Sequence, residues 1–458
     1  MPLYKTNYLH FLLKSVNNKR SLSVKFHKAF LPGVKKILFC FISVLFIFCF
    51  CQHLVAQPTN ALYSKDCKAE NRARLYKNLV NNAITKNLTY PLSDSTEENW
   101  MDAFNAMELI RYQSPWTESR IHEAFVGIEK RSVYFQQALM ELVYAAYQNR
   151  FLKEVKLLIN LPGNDKVFAM CAEYIQPSAN MVLKKDIAAR TIIKLVADTN
   201  SAILKQLNFR LNAAKNKSLP PLNDMLQQSF FKNAKLVFSF QRKNRDYPGI
   251  AIVRDSAGNF VKDEYGSIFF VPQLARSMSS LPGYLSNGNT PQGIFRMKGL
   301  DTSKSNFIGP TPNIQLTMPG ETSLQHFMND SSIVDSVWTE RWYSKLLPES
   351  WSNYFPFYET YFAGKAGRTD IIAHGTTINP EYYKGQPYYP LTPTLGCLCT
   401  KEIWSETDGK RTASDQQKLV DALQRAGGAD GYYIVIEIDD SQKPVNVNEL
   451  LPLLNNKK

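Results

Sequence analysis

The side chains best suited to chemistry lie near the end of the chain. The run Thr394-Leu395-Gly396-Cys397-Leu398-Cys399 sets two thiols two residues apart. His374 stands 23 residues before the first of them, in Ile371-Ile372-Ala373-His374-Gly375-Thr376. A free thiol ionises at about pH 8.5, so a cysteine nucleophile needs an imidazole or an electropositive pocket beside it. Gly396 allows a sharp turn directly before Cys397, and such a turn can aim backbone N–H groups at a developing oxyanion. Beyond the first 56 residues the other histidines are His122, in a helical pattern, and His326, in a loop-like stretch; both read as structural. His374 is the one set in a Gly/Thr turn. The chemistry this pattern suits, if Cys397 is the reactive thiol, is nucleophilic attack with the imidazole as base.

Two thiols this close admit rival readings. Residues two apart in a strand are separated by about 6.5–7 Å, at the outer edge of disulfide reach, so a Cys397–Cys399 bond would be strained and labile. Cys397, Cys399 and His374 offer three metal ligands, but no CxxC or second cysteine pair stands nearby to complete a zinc site. Both thiols could also be small buried hydrophobes. Asp370 is placed to orient His374. Arg276, Arg296 and Arg411 are candidates to receive a substrate carboxylate, each also readable as an ordinary surface charge. Tyr382, Tyr383, Tyr388 and Tyr389 lie in the Pro/Gly loop between His374 and Cys397 and could wall a groove or simply pack that loop.

The elements that must position these residues fall into two textures, which together make the fold class α+β. From about Asn99 to Leu211 the apolar residues recur with helical spacing. Val133, Ala138, Leu139, Leu142, Val143 and Ala146 form one stripe, and breaks occur at Ser114-Pro115, Leu161-Pro162-Gly163 and Gln176-Pro177. This predicts an all-helical domain, a helix-pair array, over 99–211, after an N-terminal segment over 57–98. A Lys/Asn/Pro-rich linker over 212–224 follows. Residues 225–458 then read as mainly β, with strands in KLVFSF, GIAIVRD, SIFFVPQLA and YYIVIEI and a hairpin turn at Asp255–Asn259. Helices are expected over 331–347 and 415–428, the second ending on Gly427-Gly428.

Composition sets the class and the compartment. With 44% hydrophobic and 21% charged residues, the chain is an ordinary globular protein. Its net charge of +14 owes eight units to residues 1–36, which hold no acidic residue. The remaining +6 is too mild to point to nucleic acid. Ile37–Gln57 carries no charge, follows Lys35-Lys36 and ends near Ala56, the pattern of a secretory leader over residues 1–56. Uncleaved, it would be the chain's only membrane anchor. Cys40, Cys49 and Cys51 lie in that leader; Cys67 and Cys171 could pair in an oxidising compartment.

These pieces resemble a known family. His374-Gly375-Thr376 followed by Thr394-Leu395-Gly396-Cys397-Leu398, with Thr290, Pro291, Gly293 and Phe295 upstream, is similar to the motif set of the L,D-transpeptidases with a YkuD-type catalytic domain. The resemblance spans roughly residues 249–438. It departs at Leu395, where the family usually has histidine, and at Cys399, where it usually has Arg or Asn. The resemblance implies a β-rich sandwich or barrel-like catalytic domain with the cysteine at the mouth of a groove, in an exported protein of the bacterial periplasm or cell envelope. Cys397 would be the nucleophile and His374 the proton carrier, with Gly396 and Cys397 N–H groups as oxyanion donors and Thr394 orienting the site. Gly375, Thr376, Tyr388, Tyr389 and Cys399 would meet the substrate, a peptidoglycan stem peptide. No metal or cofactor is implied. The helical domain would dock an envelope protein or the wall. Two alternatives stay open: a wall-binding scaffold that has lost the chemistry, and a cysteine peptidase or amidase of other specificity.

Overall fold

A computed structural model describes residues 61–212, 218–378 and 394–455. Residues 1–56, expected from the sequence to be a leader, and the tyrosines at 382, 383, 388 and 389 fall outside them. Tyr63–Lys458 forms one compact unit with helices first and a sheet after.

The helices run Ala69–Asn78, Glu97–Ile110, Pro115–Phe125, Val133–Ala146, Leu152–Leu158, Asp165–Ile175, Met181–Ala197 and Ala202–Asn212. Local chemistry explains their starts. Ser114 and Thr117 form a capping box with Pro115 at the first helical position, where its missing N–H costs nothing. Asn164 and Asn180 cap the helices that follow them. Trp100, Phe104, Phe135, Leu139 and Met170 are fully buried between the helices. Helix begins earlier than the apolar periodicity does. Ala69–Asn78 passes into a π-helical stretch, Leu79–Lys86, whose many polar residues hide it from a hydrophobic pattern.

The β half is an eight-stranded sheet: β1 (Leu236–Arg242), β2 (Gly249–Arg254), β3 (Phe270–Gln273), β4 (Gly293–Thr302), β5 (Pro312–Thr317), β6 (Ile372–His374), β7 (Leu398–Cys399) and β10 (Tyr432–Asp439), in the order β3-β2-β1-β10-β4-β5-β6-β7. A separate pair, β8 (Glu402–Trp404) and β9 (Arg411–Ser414), lies beside it. Pairing is antiparallel except β1–β10 and β6–β7. The two ends of the sheet meet: Leu274, just past β3, and Cys399 of β7 exchange both backbone hydrogen bonds at 2.8 Å. That bridge closes the strand order into a ring and leaves these edges paired.

Strand alternation divides the core. Phe238, Phe240, Ile252, Ile294, Ile434 and Ile436 pack on one face with Tyr343, Trp351, Phe357 and Phe362. Val237, Val253, Phe295, Ile314, Leu316, Ala373, Leu398 and Val435 pack on the other with Leu419, Val420 and Leu423 of the helix Asp415–Arg425. The expected hairpin is present, with Asp255 N–H donating to Asn259 O. The helix expected over 331–347 is a correction: only Glu340–Ser344 is helical, capped by Thr339. Val334 and Val337 ahead of it are 93% and 64% exposed, so no apolar face exists there to fold a longer helix against anything.

Candidate active site

β6 and β7 build the site. Ala373 pairs with Leu398 and His374 with Cys399 in parallel register. Ala373 and Leu398 point into the core beneath the helix Asp415–Arg425, so alternation turns His374 and Cys399 to the opposite face. Cys399 is the direct neighbour of His374 across the strands. Cys397 stands one residue before β7, directly after the turn at Gly396.

The two thiols differ in kind. Cys399 is fully buried in the closing seam, its Sγ 3.9 Å from Gly375 O and 3.8 Å from Thr400 O. Burial pushes its thiol well above the ordinary value, and Glu402 and Cys397 push it further. It therefore stays a neutral thiol and is closed to substrate, against the expectation that placed it in contact with one. Cys397 is only partly buried, its Sγ 3.7 Å from Asp370 O. Cys67 and Cys171 are buried, and all four described cysteines are free thiols.

His374 is 2% exposed. Burial pulls its pKa down to about 4, against a smaller upward pull from the hydrogen bond to Gly375. That bond joins Nδ1 to the Gly375 carbonyl at 2.5 Å. A carbonyl can only accept, so Nδ1 carries the proton and Nε2 holds the lone pair. The imidazole is neutral at neutral pH and set as a proton acceptor.

The turn before Cys397 is locked from several directions. Gly396 has φ of +109°, and a Cβ there would collide with Arg368 Nη2 and Gly288 O; only glycine fits. Its carbonyl accepts from Thr290 Oγ1 at 2.8 Å, which brings the upstream Thr-Pro-Gln-Gly segment to the cysteine turn. Thr394 donates its hydroxyl to Arg276 O at 2.7 Å and receives the Gly396 N–H at 3.3 Å. Thr394 thus orders the turn, and the Gly396 N–H, expected as an oxyanion donor, is engaged by it. Gly375 is equally constrained: a Cβ would strike the Glu402 carboxylate. Glu402 is buried, and its Oε1 accepts from Thr311 at 2.9 Å, Arg411 at 3.1 Å and Ser414 at 2.5 Å. Thr376, also buried, receives the Ile378 N–H at 3.1 Å. Gly375 and Thr376 therefore shape the floor rather than line an open surface. Tyr388 and Tyr389 fall outside the described residues.

The remaining candidates take structural places. The Asp370 carboxylate is exposed and accepts from Thr369; it is the Asp370 carbonyl that reaches the site. Arg276 pairs with Asp246 at 2.5 Å, Arg411 with Glu402, and Arg296 lies 4.9 Å over the Tyr432 ring. His122 pairs with Glu154, and exposed His326 follows the Ser323 cap of a short helix.

Arg368 is the residue that reading the sequence misses. It is 5% exposed and donates to the carbonyls of Gly283, Gly288, Asn289 and Leu395. Three of these partners lie 79 to 85 residues earlier in the chain, so no local pattern announces them. The helical half grips the same loop from the other side. Glu173 accepts from Tyr284 Oη at 3.0 Å, Lys166 donates to Ser286 at 2.7 Å and Glu141 accepts from Asn287 at 2.9 Å. A cleft of about 890 Å³ lined by Phe230, Phe231, Leu346 and Leu347 shares no residue with the site.

Among the described residues no group of three His, Cys, Asp or Glu side chains is arranged to hold a metal, and no helix is long and apolar enough to cross a membrane. Comparison with family models, with curated proteins and with solved structures returns no significant match.

Proposed function

We propose that the protein is an exported cysteine acyltransferase of L,D-transpeptidase type, acting on peptidoglycan stem peptides. The observation that carries the reading is the pairing of the His374 strand with the strand that Cys397 opens. What supports it is a partly exposed Cys397 thiol just before that strand, a neutral His374 with its lone pair on Nε2, and a withdrawn Cys399. During attack the Cys397 thiol proton passes to His374 Nε2 as sulfur bonds to the carbonyl carbon between an L-centre and a D-amino acid. The C–N bond then breaks, and the departing amine takes the proton from Nε2. An amine of a second stem resolves the thioester into a crosslink, or water resolves it into a free acid. The Cys397 N–H is the oxyanion donor in this reading, since Thr394 occupies that of Gly396.

The test is incubation of the purified protein with tetrapeptide-bearing muropeptides, following D-amino acid release and crosslinked products by mass. Release that depends on Cys397 and not on Cys399 is expected. Binding to sacculi without turnover would favour the scaffold instead, and turnover confined to other peptides would favour a peptidase of different specificity.

A further inference from the structure

A resting imidazole that is neutral cannot be the counter-charge of a thiolate, so the cation that Cys397 needs must come from elsewhere. We propose that Arg368 supplies the positive charge facing the Cys397 thiolate and, through the same guanidinium, holds the turn that presents it. The inference rests on the reading of Cys397 as a nucleophile and makes Arg368 a positioning residue for it.

Geometry comes first. The Arg368 Nη2 atom sits so close to Gly396 that any Cβ there would overlap it, one residue from the nucleophile. Nη2 also donates to Leu395 O at 3.3 Å and Gly288 O at 2.5 Å, and Nη1 to Asn289 O at 2.7 Å and to Gly283 O. Two residues on, the Asp370 carbonyl accepts from Cys397 Sγ. One short segment, 368–370, therefore touches both the turn before the cysteine and its sulfur.

Charge comes second. All the hydrogen-bond partners of the guanidinium are neutral carbonyls, and among the described residues no carboxylate forms an ion pair with it. Burial lowers Arg368 to about 10, while Glu359 and the Cys397 sulfur oppose that shift. The titratable groups that face it are Glu359, Cys397 and Lys166. Glu359 is itself buried and raised, first by desolvation and then by Glu437. Lys166 adds a second positive group on the far side of the loop, lowered by burial and directed to Ser286. A buried cation without a bound anion favours ionisation of the acidic groups around it, and the Cys397 thiol is one of the two, with Glu359, that act on Arg368.

The experiment reads thiol ionisation directly and needs no cell-wall substrate. Alkylation of the full chain with iodoacetamide is followed between pH 5 and 10, and labelling at Cys397 is mapped by mass. The expected midpoint for the wild type lies below the ordinary value of about 8.5. Arg368→Met raises it by about 1–2 units, Arg368→Lys keeps it within about half a unit of wild type, and His374→Gln leaves it in place. A purely structural Arg368 would not separate Lys from Met on this scale. A wild-type midpoint at or above the ordinary value overturns the proposal, as does a rise in His374→Gln equal to that in Arg368→Met. If Arg368→Met loses its cooperative melt, the wild-type, Arg368→Lys and His374→Gln profiles still decide. A protein inert on stem peptides but with a lowered, Arg368-dependent midpoint would refute the enzymatic reading and leave this one standing. An active protein whose midpoint ignores Arg368 would do the reverse.

Discussion

Two buried polar regions meet across the loop 283–289, and burial drives them in opposite directions. In the β6–β7 seam, desolvation holds His374 down at about 4, below its ordinary 6.5. In the junction between the helices and the loop, desolvation raises Glu108 to about 8 and Glu141 to about 7, and the charge of Glu141 raises Glu108 further. His374 is therefore neutral near pH 7 and Glu108 mostly protonated, with opposite consequences for stability. Below pH 6.5 the unfolded chain takes up the His374 proton first, so that contribution falls as pH drops from 6.5 toward 4 and is gone below. Above pH 4.5 the unfolded chain releases the glutamate protons first, so theirs falls as pH rises from 4.5 through 8. The difference teaches that a shifted pKa alone does not mark a reactive centre. The seam adjoins a partly exposed thiol, whereas the junction carboxylates face each other, Asn287 and cations.

The contrast is sharpest in chemistry. Cys397→Ser should lower stem-peptide turnover by at least about 10³-fold, because an alkoxide is far harder to form beside a weak base. Its thermal midpoint should stay at the wild-type value. D-amino acid release measured beside a thermal melt checks both. Persistent turnover would remove the seam from the chemistry and reduce it to the same status as the junction.

His374→Gln follows, with a loss of about 10²–10⁴-fold expected for a missing proton carrier. It carries a second signature that no junction variant shares. Relative to the variant, urea unfolding of the wild type should lose about 3 kcal/mol between pH 6.5 and 4, the equivalent of the shift from 6.5 to about 4. The variant should lack that loss. An unchanged acid branch would mean that His374 is solvated enough to titrate normally, and the contrast between the regions would soften.

Gly396→Ala tests rigidity without removing an ionisable group. At φ of +109°, with Arg368 Nη2 and Gly288 O in the way, the cost should be about 3 kcal/mol or more. Gly266→Ala is the control: its φ is +79° but nothing lies within 4 Å of the added methyl, so only the backbone cost of about 1 kcal/mol applies. Urea midpoints measure both. Equal costs would mean that the cysteine turn relaxes around a side chain and is not held by Arg368.

How much of this was written locally differs between the same regions. The β1, β2 and β10 strands, the Asp255 turn and the helix Asp415–Arg425 announce themselves through short-range alternation, turn residues and helical spacing. The histidine and cysteine turns do so because glycine beside a reactive side chain is a local signal. Arg368 and the junction carboxylates do not. Their partners come from segments far along the chain, so their roles exist only after the sheet closes between Leu274 and Cys399 and the helices settle on the loop. The helix expected over 331–347 erred for a related reason: Val334 and Val337 look like a stripe in sequence but find no partner surface.

The smallest expected effect is the one that bears hardest on the junction. Glu108→Gln and Glu141→Gln replace each acid by a neutral group of the same shape. Glu141 accepts from Asn287, and an amide oxygen can take that bond. At pH 5, where both acids are already protonated in the folded chain, the changes should be close to neutral. At pH 8 each should gain about 1–2 kcal/mol over wild type, because the folded wild type there must bury a charge or hold a proton against the solvent. Urea unfolding at the two pH values gives the answer. If wild-type stability does not fall between pH 5 and 8, the carboxylates enter the junction ionised and are neutralised by Arg111, Arg276 and Lys166. The loop that carries Gly288 to the cysteine turn would then be held by charge on its helical side, as it is by Arg368 on the other. The two regions would be alike rather than opposed.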